Sequence, residues 1–187
     1  TDFRSLEEFN GLWDVQLQIG GQEGPLYFKG SMLGGYPREL QVTLVDIPNR
    51  NVIEDFTQGR LDIDTKLNSS YDIKIIAGER SYVVQMVEEI LADIPEQYSL
   101  SQNYPNPFNP ITNINYSVPR SGSVTLAIYN IMGQRVTTLV SGNMKYGYHS
   151  VVWNGLDQSG RQVSSGVYFS ELSARGFRQT KKMLLLK

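Results

Sequence analysis

Asp62 and Asp64 are spaced to share one face of a short alternating segment, Arg60–Asp64. Two carboxylates side by side could act as general acid and base. The same alternation turns Leu61 and Ile63 toward a core, so a solvated outer face accounts for the pair without any chemistry. Glu88-Glu89 is a second acidic pair and reads as solvated charge. Asp157, near Asn154, could offer oxygen to calcium, but a calcium loop spaces about six to eight oxygen ligands and no third or fourth follows here. Asp157-Gln158-Ser159-Gly160 reads instead as a turn whose aspartate accepts backbone N–H bonds. His149 is the only histidine in the chain. One histidine excludes a multi-His metal centre and gives a Ser-His-Asp triad no support. There is no cysteine, hence no disulfide framework and no thiolate site. No nucleophile-elbow serine, P-loop or dinucleotide fingerprint occurs. The expectation is a non-catalytic chain without cofactor or metal.

The elements that must carry these residues are strands. Of 187 residues, 40% are hydrophobic and 19% charged, with 11 tyrosines and 17 glycines. Aromatics, β-branched residues and frequent turn formers favour β structure. The length suits one large domain or two small ones. A net charge of -2 gives no argument for nucleic acid or an anionic membrane. No apolar run reaches transmembrane length, and no signal peptide is present. The chain starts at Thr1 without methionine and reads as a piece of a longer polypeptide, with any export signal upstream.

Up to Pro95 the turn signals separate short strands. Ser5 and Glu8 have capping-box spacing. Trp13, Val15, Leu17 and Ile19 alternate with Asp14, Gln16 and Gln18. Leu26–Met32, a segment from Leu40 to Asp46, Val52–Phe56, Arg60–Asp64 and Tyr71–Gly78 follow, broken by Gly20-Gly21, Gly34-Gly35 with Pro37, and Pro48-Asn49. Ser81–Val87 reads as a last strand, and its continuation through Ile90, Leu91 and Ile94 fits a helical period equally well. The whole predicts a β-sandwich module over residues 1–95.

Leu100–Pro110 breaks the pattern: Leu-Ser-Gln-Asn-Tyr-Pro-Asn-Pro-Phe-Asn-Pro. Proline cannot donate to a sheet ladder and holds the preceding residue extended. Residues 96–110 therefore read as a stiff connector and the start of the second unit, with Tyr104 and Phe108 pinned onto a neighbouring domain. After it, alternation resumes. Ile114, Tyr116 and Val118 form one inward face, Val124, Leu126 and Ile128 the next, then Val136, Thr138 and Val140. Ser141-Gly142-Asn143 and Gly147 bound a loop. Strands follow at His149–Trp153, Gly166–Leu172 and Gln179–Leu186. Gly133 supplies the positive φ of a tight turn, and Trp153 reads as a core aromatic. These features predict an Ig-like sandwich over 111–187, so the fold class is all-β, with two sandwiches in tandem.

The second unit resembles the type A C-terminal sorting domain of proteins exported by the type IX (Por) secretion system. The resemblance rests first on Leu100-Ser101-Gln102-Asn103-Tyr104-Pro105-Asn106-Pro107-Phe108-Asn109-Pro110, followed by Thr112 and Ile114. It continues through Tyr129–Val136 with Gly133-Gln134, then Gly147-Tyr148-His149, then Trp153-Asn154-Gly155 with Asp157 and Gly160. Gly166-Val167-Tyr168 and the basic-apolar finish Lys181-Lys182-Met183-Leu184-Leu185-Leu186-Lys187 complete it. The first unit is more thinly similar to a β-rich module that often precedes such domains, on Trp13–Ile19, the Asp46-Ile47-Pro48 turn, Asp55-Phe56 and Tyr71–Gly78. The resemblance implies export through the periplasm to the cell surface or medium. It implies an outer-membrane translocon, a shuttle barrel protein and a sortase-like cysteine peptidase as partners. Cleavage would fall within Asp93–Ser99. No nucleic acid and no membrane insertion are implied, and a monomer is expected.

The basic-apolar finish, Lys181 to Lys187, is the expected recognition element: an edge strand with unpaired backbone groups could accept strand addition by a receptor. It reads equally as a closing core strand. Two other readings stay open. One is a structural Ig-like assembly domain of the flagellar hook-capping type. The other is a carbohydrate-binding accessory module of a secreted hydrolase, with Trp13, Tyr36 and Tyr148 as platform candidates that read more readily as packing residues.

Overall fold

In the computed structural model, residues 10–18, 26–29, 40–57, 59–63 and 70–186 are described. The capping-box residues Ser5 and Glu8, the turns at Gly20-Gly21, Gly34-Gly35 and Pro37, and Ile19, Tyr36, Asp64 and Lys187 lie outside them. The chain divides into two compact units, Thr1–Ile94 and Pro95–Lys187. Among the described residues it is β-rich with one helix, an all-β sandwich fold.

In the first unit, β1 (Gly11–Gln18), β3 (Gln41–Asp46), β4 (Asn51–Ile53) and β6 (Ser70–Gly78) form an antiparallel sheet in the order β1-β6-β3-β4. β2 (Leu26–Lys29) and β5 (Arg60–Ile63) form an antiparallel two-stranded sheet. Leu44, Tyr71 and Ile73 of the sheet pack with Leu61 and Ile63 of β5, and Phe28 stacks on Phe56 at 5.6 Å between centroids. The period of two selects these residues: every second side chain meets the facing layer.

Ser81–Val87 is helix, not strand. It belongs to α1 (Arg80–Asp93), which packs on β3 and β6. The buried residues Val83 and Ile90 are seven apart, two helical turns, and Val84, inward in a strand reading, is exposed. Pro95 forces Ile94 out of the helical region and ends the helix. The helix also explains why β3 is buried on both faces: Leu44 faces the core, while Thr43 lines a cleft with Val83 and Val87.

In the second unit, β9 (Gly122–Asn130), β10 (Arg135–Met144), β12 (Gly166–Ala174) and β13 (Phe177–Leu185) form one sheet, order β10-β9-β12-β13. β7 (Ser99–Leu100), β8 (Thr112–Val118) and β11 (Gly147–Trp153) form the other, order β11-β8-β7. Leu100, Ile114, Tyr116, Val124, Leu126 and Ile128 fill the space between. Ser141–Asn143 is not a loop but continues β10, in register with Ser123–Thr125. The expected Val136, Thr138, Val140 face is also interrupted. Register shifts after Arg135 and after Thr138 bring Leu139 against the core together with Val136 and Val140. A bulge adds an unpaired residue, which strict alternation in a sequence cannot reveal.

Among the described residues, no helix is long and apolar enough to cross a membrane.

Candidate functional site

Leu100–Pro110 is not a free connector between bodies. It lies inside the second unit and closes its sandwich, and the reason is hydrogen bonding. β13 ends its sheet, so its outward backbone groups need partners. The Phe108 N–H donates to the Leu184 carbonyl at 3.0 Å, and the Leu186 N–H donates to the Phe108 carbonyl at 2.9 Å. Asn106 Oδ1 accepts the Leu184 N–H at 2.9 Å, and Gln102 Nε2 donates to the Lys182 carbonyl at 2.7 Å. A proline-rich segment cannot supply a regular ladder, so amide side chains do part of the pairing.

The same stretch grips the other sheet. Tyr104 exchanges two backbone bonds with Asn113 beside β8, both 2.9 Å. Asn103 is buried, and its Nδ2 donates to the Pro105 carbonyl at 3.0 Å and to Thr112 Oγ1 at 2.9 Å. Thr112 Oγ1 donates in turn to the Pro105 carbonyl at 2.9 Å. The peptide bonds before Pro105 and Pro107 are cis. The segment is a strap joining both sheets along one side of the sandwich.

Phe108 is the strap's apolar anchor. Its ring lies 5.5 Å from Trp153, which meets Tyr168 edge-on at 5.2 Å. Trp153 Nε1 donates to the Leu156 carbonyl at 3.0 Å and the Tyr168 hydroxyl to the Ser164 carbonyl at 2.7 Å, so both polar tips are satisfied at the rim of the core. Burial pushes the Tyr168 hydroxyl above its ordinary pKa. Gly155, at φ +70°, lies where a Cβ would come within 3.4 Å of the Pro110 carbonyl. The expectation that Tyr104 and Phe108 pin onto a neighbouring domain is corrected on both counts: Phe108 plugs its own sandwich, and Tyr104 is 79% exposed.

The remaining predicted residues finish turns. Asn130 Oδ1 accepts the Met132 and Gln134 N–H groups, each at 3.0 Å, with Gly133 at φ +73°. Asp157 Oδ1 accepts Ser159 Oγ at 2.7 Å and the Ser159 and Arg161 N–H groups at 2.9 Å. The Ser159 hydroxyl first, then these N–H groups and the Arg161 charge, hold its pKa at about 2. This turn also docks on the opposite edge of the sheet, where the Gln158 N–H donates to the Val136 carbonyl at 3.0 Å. Gly160 and Gly166 have positive φ, and Val167 is half-buried in β12. His149 stacks on Tyr116 and donates from Nε2 to the Lys145 carbonyl at 2.8 Å. Among the described residues, no cluster of three or more His, Asp or Glu could hold a metal.

The basic-apolar finish is divided. Met183 and Leu185 are fully buried, so a receptor meeting the folded unit cannot reach them. Lys182 and Leu186 are exposed, and Lys181 and Leu184 are half-buried. The expected row of unpaired backbone groups is not free at Lys182–Leu186, because the strap occupies it. Asp62 is exposed and paired with Arg60. Trp13 and Tyr148, expected to pack, are 51% and 71% exposed. Gln102 and Thr112 stand in the opening motif, but their strap contacts were not legible in the sequence; only the strict alternation Thr112, Ile114, Tyr116, Val118 signals that Thr112 points inward.

A family model described as the FlgD Ig-like domain matches residues 112–176. Comparison with curated proteins gives no match. Among solved structures, one similar chain comes from the structural and functional probing of PorZ, an essential bacterial surface component of the type-IX secretion system of human oral-microbiomic Porphyromonas gingivalis. It has TM-score 0.34 and 17% identity over 62% of this chain and 14% of that one. Another is dimeric latent PorU from Porphyromonas gingivalis, with TM-score 0.38 and 12% identity over 95% of this chain and 18% of that one. The chain spans less than a fifth of either. At such similarity, function has to be argued from this chain's own residues.

Proposed function

We propose that the second unit is a non-catalytic export signal of the type IX class, read in its folded state. One observation carries the proposal: the two segments at the ends of the motif series, Gln102–Pro110 and Lys182–Leu186, are hydrogen-bonded into one surface. Tyr104, Pro105, Asn106, Pro107 and Asn109 of the strap are exposed, as are Lys182 and Leu186 beside them. A receptor that recognises this side meets strap and strand together. By the resemblance, the partners are an outer-membrane translocon, a shuttle barrel protein and a sortase-like cysteine peptidase, and the destination is the cell surface or medium.

The test is a transplant of the whole chain behind a signal peptide and a fluorescent reporter, in a bacterium with type IX secretion and in its translocon-null mutant. The expected result is reporter outside the first strain only. Deleting Thr180–Lys187 would remove Met183 and Leu185 from the core, so loss of export would not separate recognition from folding. Lys182→Glu with Leu186→Ser changes exposed groups alone and is expected to abolish export while thermal unfolding stays unchanged. Normal export of that folded variant would reject the surface.

A second reading is favoured by the family match: an Ig-like structural domain of the flagellar hook-cap kind. That match covers 112–176 and includes neither the strap nor β13. A structural domain would retain its assembly role when Lys182 and Leu186 are changed, so the same variant separates the two readings.

A further inference from the structure

Counted by unit, the charge is far from even. Residues 1–94 hold eight Lys and Arg against sixteen Asp and Glu, whereas residues 95–187 hold nine against three. A whole-chain charge of -2 hides a strongly acidic first unit and a strongly basic second one. A surplus of cations on one unit favours anionic ligands there.

Within the second unit, two of these cations flank an open cleft of about 440 Å³. It lies between the Asn130–Gln134 turn and the Asp157–Arg161 turn, with Val136, Val163 and Tyr168 in its lining. Arg135 has no ion pair or side-chain hydrogen bond among the described residues and is exposed. Arg161 meets Asp157 Oδ2 at 3.3 Å from Nε and 3.2 Å from Nη2, long for a charge-assisted pair, and its head is mostly in solvent. The one acid in the cleft is held by its own turn: Asp157 Oδ1 accepts three bonds there, and Oδ2 faces Arg161. The Arg135 fork therefore remains available whole, and Arg161, held by Asp157 through Nε and Nη2, adds its charge and its remaining N–H groups. Guanidinium suits oxyanions because its planar donors match carboxylate and phosphate geometry.

We propose that this cleft binds an oxyanion, carboxylate or phosphate, carried on a small hydroxylated ligand such as a sugar. The volume is that of small-molecule sites and exceeds what a bare ion fills. The amide and hydroxyl groups of Gln134, Gln158 and Ser159 on the lining can hydrogen-bond a polyol.

The test is titration of the full chain at low salt with glucuronate, glucose 1-phosphate, glucose and inorganic phosphate, followed by NMR. Saturable binding of the two anionic sugars is expected, with neither glucose nor phosphate alone reaching comparable affinity. Arg135→Gln should weaken binding at least tenfold without changing the melting temperature. Arg120→Gln removes the same charge away from the cleft and should change it less than twofold. Three results would each overturn the proposal: no saturable binding of either anionic sugar, equal loss in the two variants (a general charge effect), or phosphate binding as tightly as the sugars (an adventitious ion only). Preference for glucuronate over glucose 1-phosphate, or the reverse, would identify which oxyanion the cleft takes.

Discussion

The two units finish their main sheets differently. In the first, a helix covers one face of the sheet and ordinary alternation fills the other. In the second, irregular segments close both edges: the strap along β13 and the Asp157 turn against β10. A helix on a sheet asks only for apolar residues at the right period, which many sequences satisfy. A loop that must replace a strand has to deliver donors and acceptors at fixed points. Asn103, Asn106, Gly155 and Asp157 meet that demand with specific residue types, so the second unit carries more recognisable motifs than the first.

The sharpest way to break this contrast is Trp153→Ala. It removes the ring that joins Phe108 to Tyr168 and is expected to cost about 3–5 kcal/mol. Hydrogen exchange should show protection lost across β8 to β13 and retained in β3 and β6. Equal loss in both units would mean that they are not separately stabilised.

Asn103→Ala tests the strap itself. The buried Thr112 hydroxyl and Pro105 carbonyl lose a donor, for an expected cost of about 2 kcal/mol by chemical denaturation. A change within error would show that Phe108 alone holds the strap.

Val83→Ala probes the helix-covered face of the first unit. Two buried methyl groups are lost, for about 1.5 kcal/mol, and the effect should stay in that unit. A drop in the protection of β13 would contradict it.

The smallest expected effect concerns pH. The Asp157 pKa lies at about 2, below its ordinary 3.8, so its carboxylate contributes stability above pH 4 that is lost as the pH falls through 2. The melting temperature of the second unit should fall over that window. In Asp157→Asn the fall should be shallower, and an unchanged slope would assign acid sensitivity to other groups.

Alternation and turn residues were enough to predict an all-β chain of two units, because side-chain period and backbone restrictions act locally. They could not separate strand from helix at Ser81–Val87, since Tyr82, Val84 and Met86 alternate while Val83, Val87 and Ile90 follow the helical turn; only packing on β3 and β6 selected the second pattern. They could not locate the bulges of β10, which depend on its partner's register. The three prolines told in advance that Leu100–Pro110 forms no regular strand. That it binds the edge of β13, about eighty residues later in the chain, was decided by tertiary structure. The physical reason is that the unpaired backbone groups at that edge exist only once the sheet has formed, and no local rule can say which distant amides will satisfy them.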